Sequence, residues 1–478
     1  MNRPMRSDGS RRSFLRAIGG LTATAAVPHH GLQLATSLAG MAALASQSSQ
    51  AATTGGYKAL VCLYMNGGSD THNWVVPTDA TGYAEYAKAR GELAIAASRL
   101  QGIGSTGQAA GRSFGMPLEL APLREHYEAG QAAIIANVGP LDRPITKAEY
   151  LAGIGMPSKL FSHNDQASTW QSLAPEGSSS GWGGRMGDIL MSANGQPVFT
   201  AVSTRGNAVF LSGSHVSQYQ VGPEGPVVAG SMTSTSVFGS TTASSALRRA
   251  YATPSGDRLQ AEYSKIMQRS MSANTALQTA LTGVNVPTIP STAIAQVNAG
   301  PTTLDKVGLA AQLRMVLQMI AASQPLGMRR QVFMVQMGGF DTHANQMRDQ
   351  PAQMAQVAQS ISYFMTALTA LGLQNNVTLF TASDFGRTLL SNGDGSDHGW
   401  GSHHFVVGGA VKGRQIYGDF PITTLGTTTD IGSGRLLPGL AVTQLAASLS
   451  GWMGLSATEQ QYVLPNLAKF TRGPSLFA

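Results

Sequence analysis

The chain has 478 residues, 42% of them apolar, enough for a sizeable core, and only 12% charged, about half the usual quarter. That balance excludes a highly charged disordered chain, the single cysteine (Cys62) excludes a disulfide scaffold, and the 56 glycines follow no period of three. The net charge of +7 is concentrated at the start: residues 1–52 hold five arginines against Asp8, leaving 27 basic and 24 acidic residues with no basic stripe, so nucleic acid is not an expected partner.

In chain order, the first feature is Ser10-Arg11-Arg12-Ser13-Phe14-Leu15-Arg16, followed by a mildly apolar stretch at 17–45 and a small-residue region at 47–52. This arrangement resembles a twin-arginine export signal. The resemblance implies a removable leader over 1–52, the twin-arginine translocation machinery as a partner, and a periplasmic or secreted location. Pro28, His29 and His30 interrupt the apolar run, so no stable membrane anchor is expected. Residues 53–478 read as one domain, in which Cys62 is a small core hydrophobe.

Apolar runs at 59–65, 132–137, 198–202, 332–337, 377–382 and 405–407 read as buried strands. Helical patterns fall at 118–128, 259–281, 309–322, 352–371 and 440–453. Within 352–371, Met354, Val357, Ile361, Phe364, Leu368 and Leu371 recur at steps of three and four, one apolar face at helical period. Strands alternating with helices predict an α/β fold with a mainly parallel central sheet and helices on both faces. Residues 204–246 are rich in Ser, Thr and Gly, and 282–302 in Pro, Thr and Val, which marks an insertion around 204–302.

Three apolar strands run straight into loops rich in Gly, Asp and His, and in a parallel sheet such loops share one edge. The first carries Gly67-Gly68-Ser69-Asp70, then His72 and Asn73. The second carries Gly338-Gly339-Phe340-Asp341, then His343 and Asn345. The third carries Asp384-Phe385-Gly386-Arg387, then Asp397-His398 and His403-His404. Four of the eight histidines after residue 52 lie between His343 and His404. Carboxylates and imidazoles suit Zn²⁺ or Mn²⁺. If Asp70, Asp341 and Asp384 converge without a partner they repel one another, and a dication removes that cost. Arg387 is a candidate to neutralise a carboxylate or clamp an oxyanion.

At these motifs, together with Ser162-His163 and Gly181-Trp182, the chain resembles the bacterial family called domain of unknown function 1501, related to the alkaline phosphatase and sulfatase superfamily. The resemblance covers most of 57–460. It implies an alkaline-phosphatase-like α/β domain and one or two divalent metal ions, Zn²⁺ or Mn²⁺. The implied ligands are Asp70, Asp341, His343, Asp384, Asp397 and His398, with His403 the rival of His398. Three departures from the superfamily pattern stand out. Phe385 occupies the usual histidine position after Asp384, His343 follows Asp341 by two residues rather than four, and no Cys-x-Pro-x-Arg motif exists for a formylglycine. Ser162 opens a predicted helix, as nucleophile or as plain N-cap. Asn73 and Arg387 are candidate catalytic helpers. The expectation is an exported metal-dependent hydrolase acting on a small anionic phosphate or sulfate ester. The alternative is a secreted, non-catalytic binding or assembly protein with a degenerate metal site.

Overall fold

The computed structural model describes residues 56–226, 235–253, 256–294 and 302–477, so the expected leader over 1–52 lies outside the described residues. In chain order the principal elements are β1 (Lys58–Met65), α1 (Ala80–Arg90), α2 (Ala121–Glu128), β2 (Ala132–Gly139), α3 (His163–Ser172), α4 (Trp182–Leu190), β3 (Ala201–Ser203) and β4 (Tyr219–Gly222). Then come α5 (Thr241–Ala252), α6 (Arg258–Leu281), α7 (Gly308–Ala321), β5 (Arg330–Met337), α8 (Gln346–Ala370) and β6 (Val377–Ser383). The short pair β7 (Arg387–Ser391) and β8 (Ser396–His398) precedes β9 (Ser402–Val407) and α9 (Val442–Trp452).

A ten-stranded sheet runs through the molecule, with the order β2-β9-β6-β1-β5-β3-β4 along most of its width. β1 is parallel to β6 and β5, and β3 is parallel to β5 and β4; β9 alone of these is antiparallel to both neighbours. The fold is therefore α/β with a mainly parallel central sheet, as the alternation of strands and helices predicts. β1 shows why. Its side chains alternate between faces. Ala59, Val61, Leu63 and Met65 join one hydrophobic cluster, while Leu60, Cys62 and Tyr64 join another. Leu313 and Val316 of α7 and Val357 and Phe364 of α8 cover the first face. Trp170 of α3, Met186 of α4 and Leu445 of α9 cover the second. A strand apolar on both sides is stable only under two such layers.

Some boundaries differ from expectation. Pro197–Phe199 form a 3-10 turn, so that strand begins only at Ala201. Helix α8 starts at Gln346 and runs through Pro351, six residues ahead of the periodic apolar face. The extra turn is held by the buried side chains of Gln346 and Gln350, which bond to Asp70. The predicted helix at 440–453 opens with a two-residue strand, Leu440–Ala441, paired to β2. The expected insertion holds β4, α5 and α6. Among the described residues no helix is long and apolar enough to cross a membrane.

Candidate metal centre

β6, β1 and β5 lie side by side and parallel, so the loops after them meet at one edge of the sheet. Asp384 follows β6, the glycine turn at Gly67 and Gly68 follows β1, and Asp341 lies a few residues beyond β5. The backbone N–H of Gly67 donates to Asp384 Oδ2 at 3.1 Å. Gly68 has φ +79°, and a Cβ there would fall 2.1 Å from the ring of Phe385. Glycine is what lets the buried Phe385 pack against this turn.

Helix α3 adds His163 from outside these loops. Its Nδ1 lies 2.8 Å from Asp384 Oδ2, and its Nε2 3.4 Å from Asp341 Oδ2. His343 Nε2 and His398 Nε2 lie 3.2 and 3.4 Å from Asp341 Oδ1 and 2.8 Å from each other. The buried Arg387 donates to the same Oδ1 at 2.8 Å. His163, Asp341 and His398 present ligand atoms all within 4.8 Å of one another, the one such group among the described residues. Phe385 packs against the rings of His163 and His398, at centroid distances of 4.8 and 4.6 Å.

The second nitrogen of each ring decides what this cluster can do. His163 Nδ1 faces the carboxylate of Asp384, His343 Nδ1 faces Asp397 Oδ1 at 3.2 Å, and His398 Nδ1 faces the Phe161 carbonyl at 2.8 Å. Each of these oxygens only accepts, so each Nδ1 carries the proton and donates. Where a ring is neutral its Nε2 lone pair is then bare, and all three Nε2 atoms turn toward the Asp341 carboxylate, with those of His343 and His398 at hydrogen-bond distance from each other. Lone pairs aimed at one another and at an anion repel unless positive charge lies among them. Imidazoles oriented by a carboxylate or carbonyl behind them are the usual metal-ligand arrangement. Ligand atoms around a tetrahedral Zn²⁺ stand ~3.3 Å apart; His163 stands 3.4 Å from Asp341 Oδ2, and His343 and His398 stand 3.2 and 3.4 Å from Oδ1, though only 2.8 Å from each other. The electrostatics agree with the geometry. Burial, with His163, Arg387 and His343 nearby, outweighs the Phe161 hydrogen bond and lowers the pKa of His398, keeping it neutral. Partial burial works against the charge on Asp341, but Arg387 and the neighbouring histidines hold its pKa below the usual value.

The profile described as "Protein of unknown function (DUF1501)" matches residues 57–459. The chain belongs to the DUF1501 family. No curated protein matches it. Among solved structures, one from Bacteroides thetaiotaomicron, from a core locus for metabolism of multiple glycosaminoglycans, is 11% identical, with 84% of this chain and 74% of that chain covered and a TM-score of 0.34. The PsFucS1 sulfatase from Pseudoalteromonas sp. is 9% identical, with 87% and 72% covered and a TM-score of 0.32. Likeness at this level adds nothing to the reading of the site.

In this DUF1501 chain the other sequence candidates take different positions. Asp70 does not join Asp341 and Asp384. Its fully buried carboxylate pairs with Arg90 of α1, accepts from Gln346 and from the His72 N–H, and caps the 3-10 turn Thr71–Asn73. The expected three-carboxylate site is thus corrected: Asp341 meets the histidines directly, Asp384 stands behind His163, and Asp70 is neutralised by an arginine. Asn73 is also buried away from the cluster, donating to the Leu93 carbonyl and Gln350 and accepting from the Tyr86 hydroxyl. Arg387 is buried, and most of its donors are committed within the protein. It bonds Asp341, the Gly67 carbonyl, and both the carbonyl and hydroxyl of Ser396. His403 is buried, accepts from the Asn137 N–H and stacks on Phe420, which leaves His398 as the histidine of the cluster. Asp397 orients His343 and is itself bonded by Asn392. Ser162 is the N-cap of α3, its hydroxyl donating to Asp165 Oδ2 at 2.8 Å. His163 was not among the sequence candidates for the site. Its signals in the sequence are the Ser162-His163 pair among the motifs of the family resemblance and its place at the mouth of a predicted helix.

Proposed function

We propose that this chain is an exported, metal-dependent hydrolase of phosphate or sulfate esters. The observation that carries the reading is the convergence of three Nδ1-anchored imidazoles on Asp341. His163, Asp341 and His398 would hold a divalent ion such as Zn²⁺ or Mn²⁺, with His343 beside them. When bound, such an ion supplies Lewis acidity toward a phosphoryl or sulfuryl oxygen. The chain's own residues do the rest. Asp384 and Asp397 fix the ring orientations, Arg387 sets the Asp341 carboxylate, and Phe385 walls one side of the rings against water. Ser162 is the proposed nucleophile. Its hydroxyl already donates to Asp165, a carboxylate positioned to take the proton. The arginine-led segment at 10–16 supports export.

The test is metal analysis of protein purified without chelator, paired with hydrolysis of 4-nitrophenyl phosphate and 4-nitrophenyl sulfate. The expected result is about one divalent ion per chain, turnover of one ester that chelator abolishes, and metal affinity about 10–100-fold weaker in Asp384→Asn. A metal-free protein, equally stable in chelator and inert toward both esters, would overturn the reading. It would favour a secreted binding protein on this scaffold.

A further inference from the structure

Helix α6 carries one apolar row along its length: Leu259, Tyr263, Ile266, Ala273, Leu277 and Ala280, all at helical spacing. The two halves of that row meet different surroundings. Ala273, Leu277 and Ala280 are buried in the core, and Tyr219 of β4 bonds Asn274 beside them. Leu259, Tyr263 and Ile266 continue the same row past the edge of the body and are 83%, 50% and 58% exposed. Phe238, just before α5, is fully exposed as well. An apolar row that leaves its core contact and runs into solvent needs an occupant.

The charges beside it say which kind. Arg258, Lys265 and Arg269 are exposed and recur at steps of seven and four, a basic row flanking the apolar one, with Lys265 paired at 3.4 Å to the exposed Glu262. Residues 235–281 together hold five basic side chains and two acidic ones. A second copy laid on this row would bring like charge against like charge. An anionic lipid surface matches both rows: the apolar side chains enter the headgroup boundary and the basic ones meet lipid phosphates. We propose that the exposed half of α6 is a peripheral docking surface for an anionic membrane. This is attachment by one face of a helix, distinct from a membrane span.

The experiment is co-sedimentation of the full chain with vesicles of phosphatidylcholine alone and of phosphatidylcholine mixed with phosphatidylglycerol, at low and high salt. The readout is the difference between wild type and variants, so any contribution from residues 1–52 is common to all. Wild type should bind the mixed vesicles, and bind them less at high salt. Leu259→Glu with Ile266→Glu should bind the mixed vesicles more weakly than wild type. Arg258→Gln and Arg269→Gln should each weaken binding roughly five-fold, from about 1 kcal/mol per basic residue near an anionic surface. Thermal unfolding of all variants should match wild type, because the altered positions are exposed. Equal wild-type binding to both vesicle types, or binding of the mixed vesicles by the double glutamate variant as tight as wild type, overturns the proposal. So does self-association through this row, seen by sedimentation velocity without lipid binding; that result would assign the row to a second copy.

Discussion

Two sets of histidines at the same end of the sheet have opposite surroundings. His163, His343 and His398 are partly open to solvent, each with Nδ1 on an acceptor and Nε2 toward Asp341. His72, His403 and His404 are buried. His72 Nε2 donates to the Arg387 carbonyl, His403 accepts from Asn137, and His404 Nε2 meets no polar partner. Burial lowers the pKa of His72 to about 4 and that of His404 to about 3, and lowers that of His403 well below its usual value. His398 and His403 are five residues apart in sequence, yet one faces a carboxylate and the other a phenylalanine ring. Residue type does not distinguish a candidate ligand from a core histidine; the atom behind each ring nitrogen does.

The sharpest way to break this division is at Asp70, the carboxylate expected with the metal and found with Arg90. Asp70→Ala leaves a buried guanidinium without its partner, a change that typically costs about 3–5 kcal/mol. Urea denaturation should show a loss of that size, while protein that remains folded keeps its metal content. Loss of metal from a variant of undiminished stability would return Asp70 to the metal centre.

Acid tests the buried set itself. His72 and His404 have folded pKa values below that of the unfolded chain, so above about pH 6.5 both states are neutral and they contribute nothing. As pH falls below that value, the unfolded chain takes up protons that the folded histidines refuse, and stability falls. For His72 the window runs from about 6.5 down to about 4, on the order of a few kcal/mol across it. Asp70, its pKa lowered by Arg90 against the opposing effect of burial, loses its contribution only below the ordinary carboxylate value. Denaturation midpoints that decline between about pH 7 and pH 5 therefore report the histidines. A flat profile there would mean that these rings are not held neutral.

Much of this division could not be read from the sequence. The strands, their alternation with helices and the glycine loops at their ends were legible because each is a local pattern. Asp341, Asp384 and His398 followed from them. Asp70 was misplaced because its partner, Arg90, lies across a helix that shares no pattern with it. His163 was passed over because its acceptor, Asp384, is 221 residues away. Helix α4 went unread for a related reason. Gly183, Gly184 and Gly187 suggest a loop, but a Cβ on Gly184 would sit 2.0 Å from the Ser212 carbonyl oxygen. These glycines let the helix lie against the 210–213 chain, a tertiary requirement that overrides propensity.

The smallest expected effect bears on the most ambiguous residue. Ser162 is an N-cap by geometry, its Oγ accepting from the Asp165 N–H, and a nucleophile by proposal, its hydroxyl donating to the Asp165 carboxylate. Two substitutions separate them. Ser162→Ala removes the cap and should cost ~1 kcal/mol of stability, whereas Ser162→Gly, at a position that tolerates glycine, should cost only a few tenths. If the hydroxyl is only a cap, ester turnover per folded molecule stays at the wild-type level in both variants. If the hydroxyl attacks the ester, both variants lose turnover alike, although only one loses appreciable stability. Comparing rate with stability across this pair isolates the chemistry from the fold, because glycine restores the helix end without restoring the oxygen.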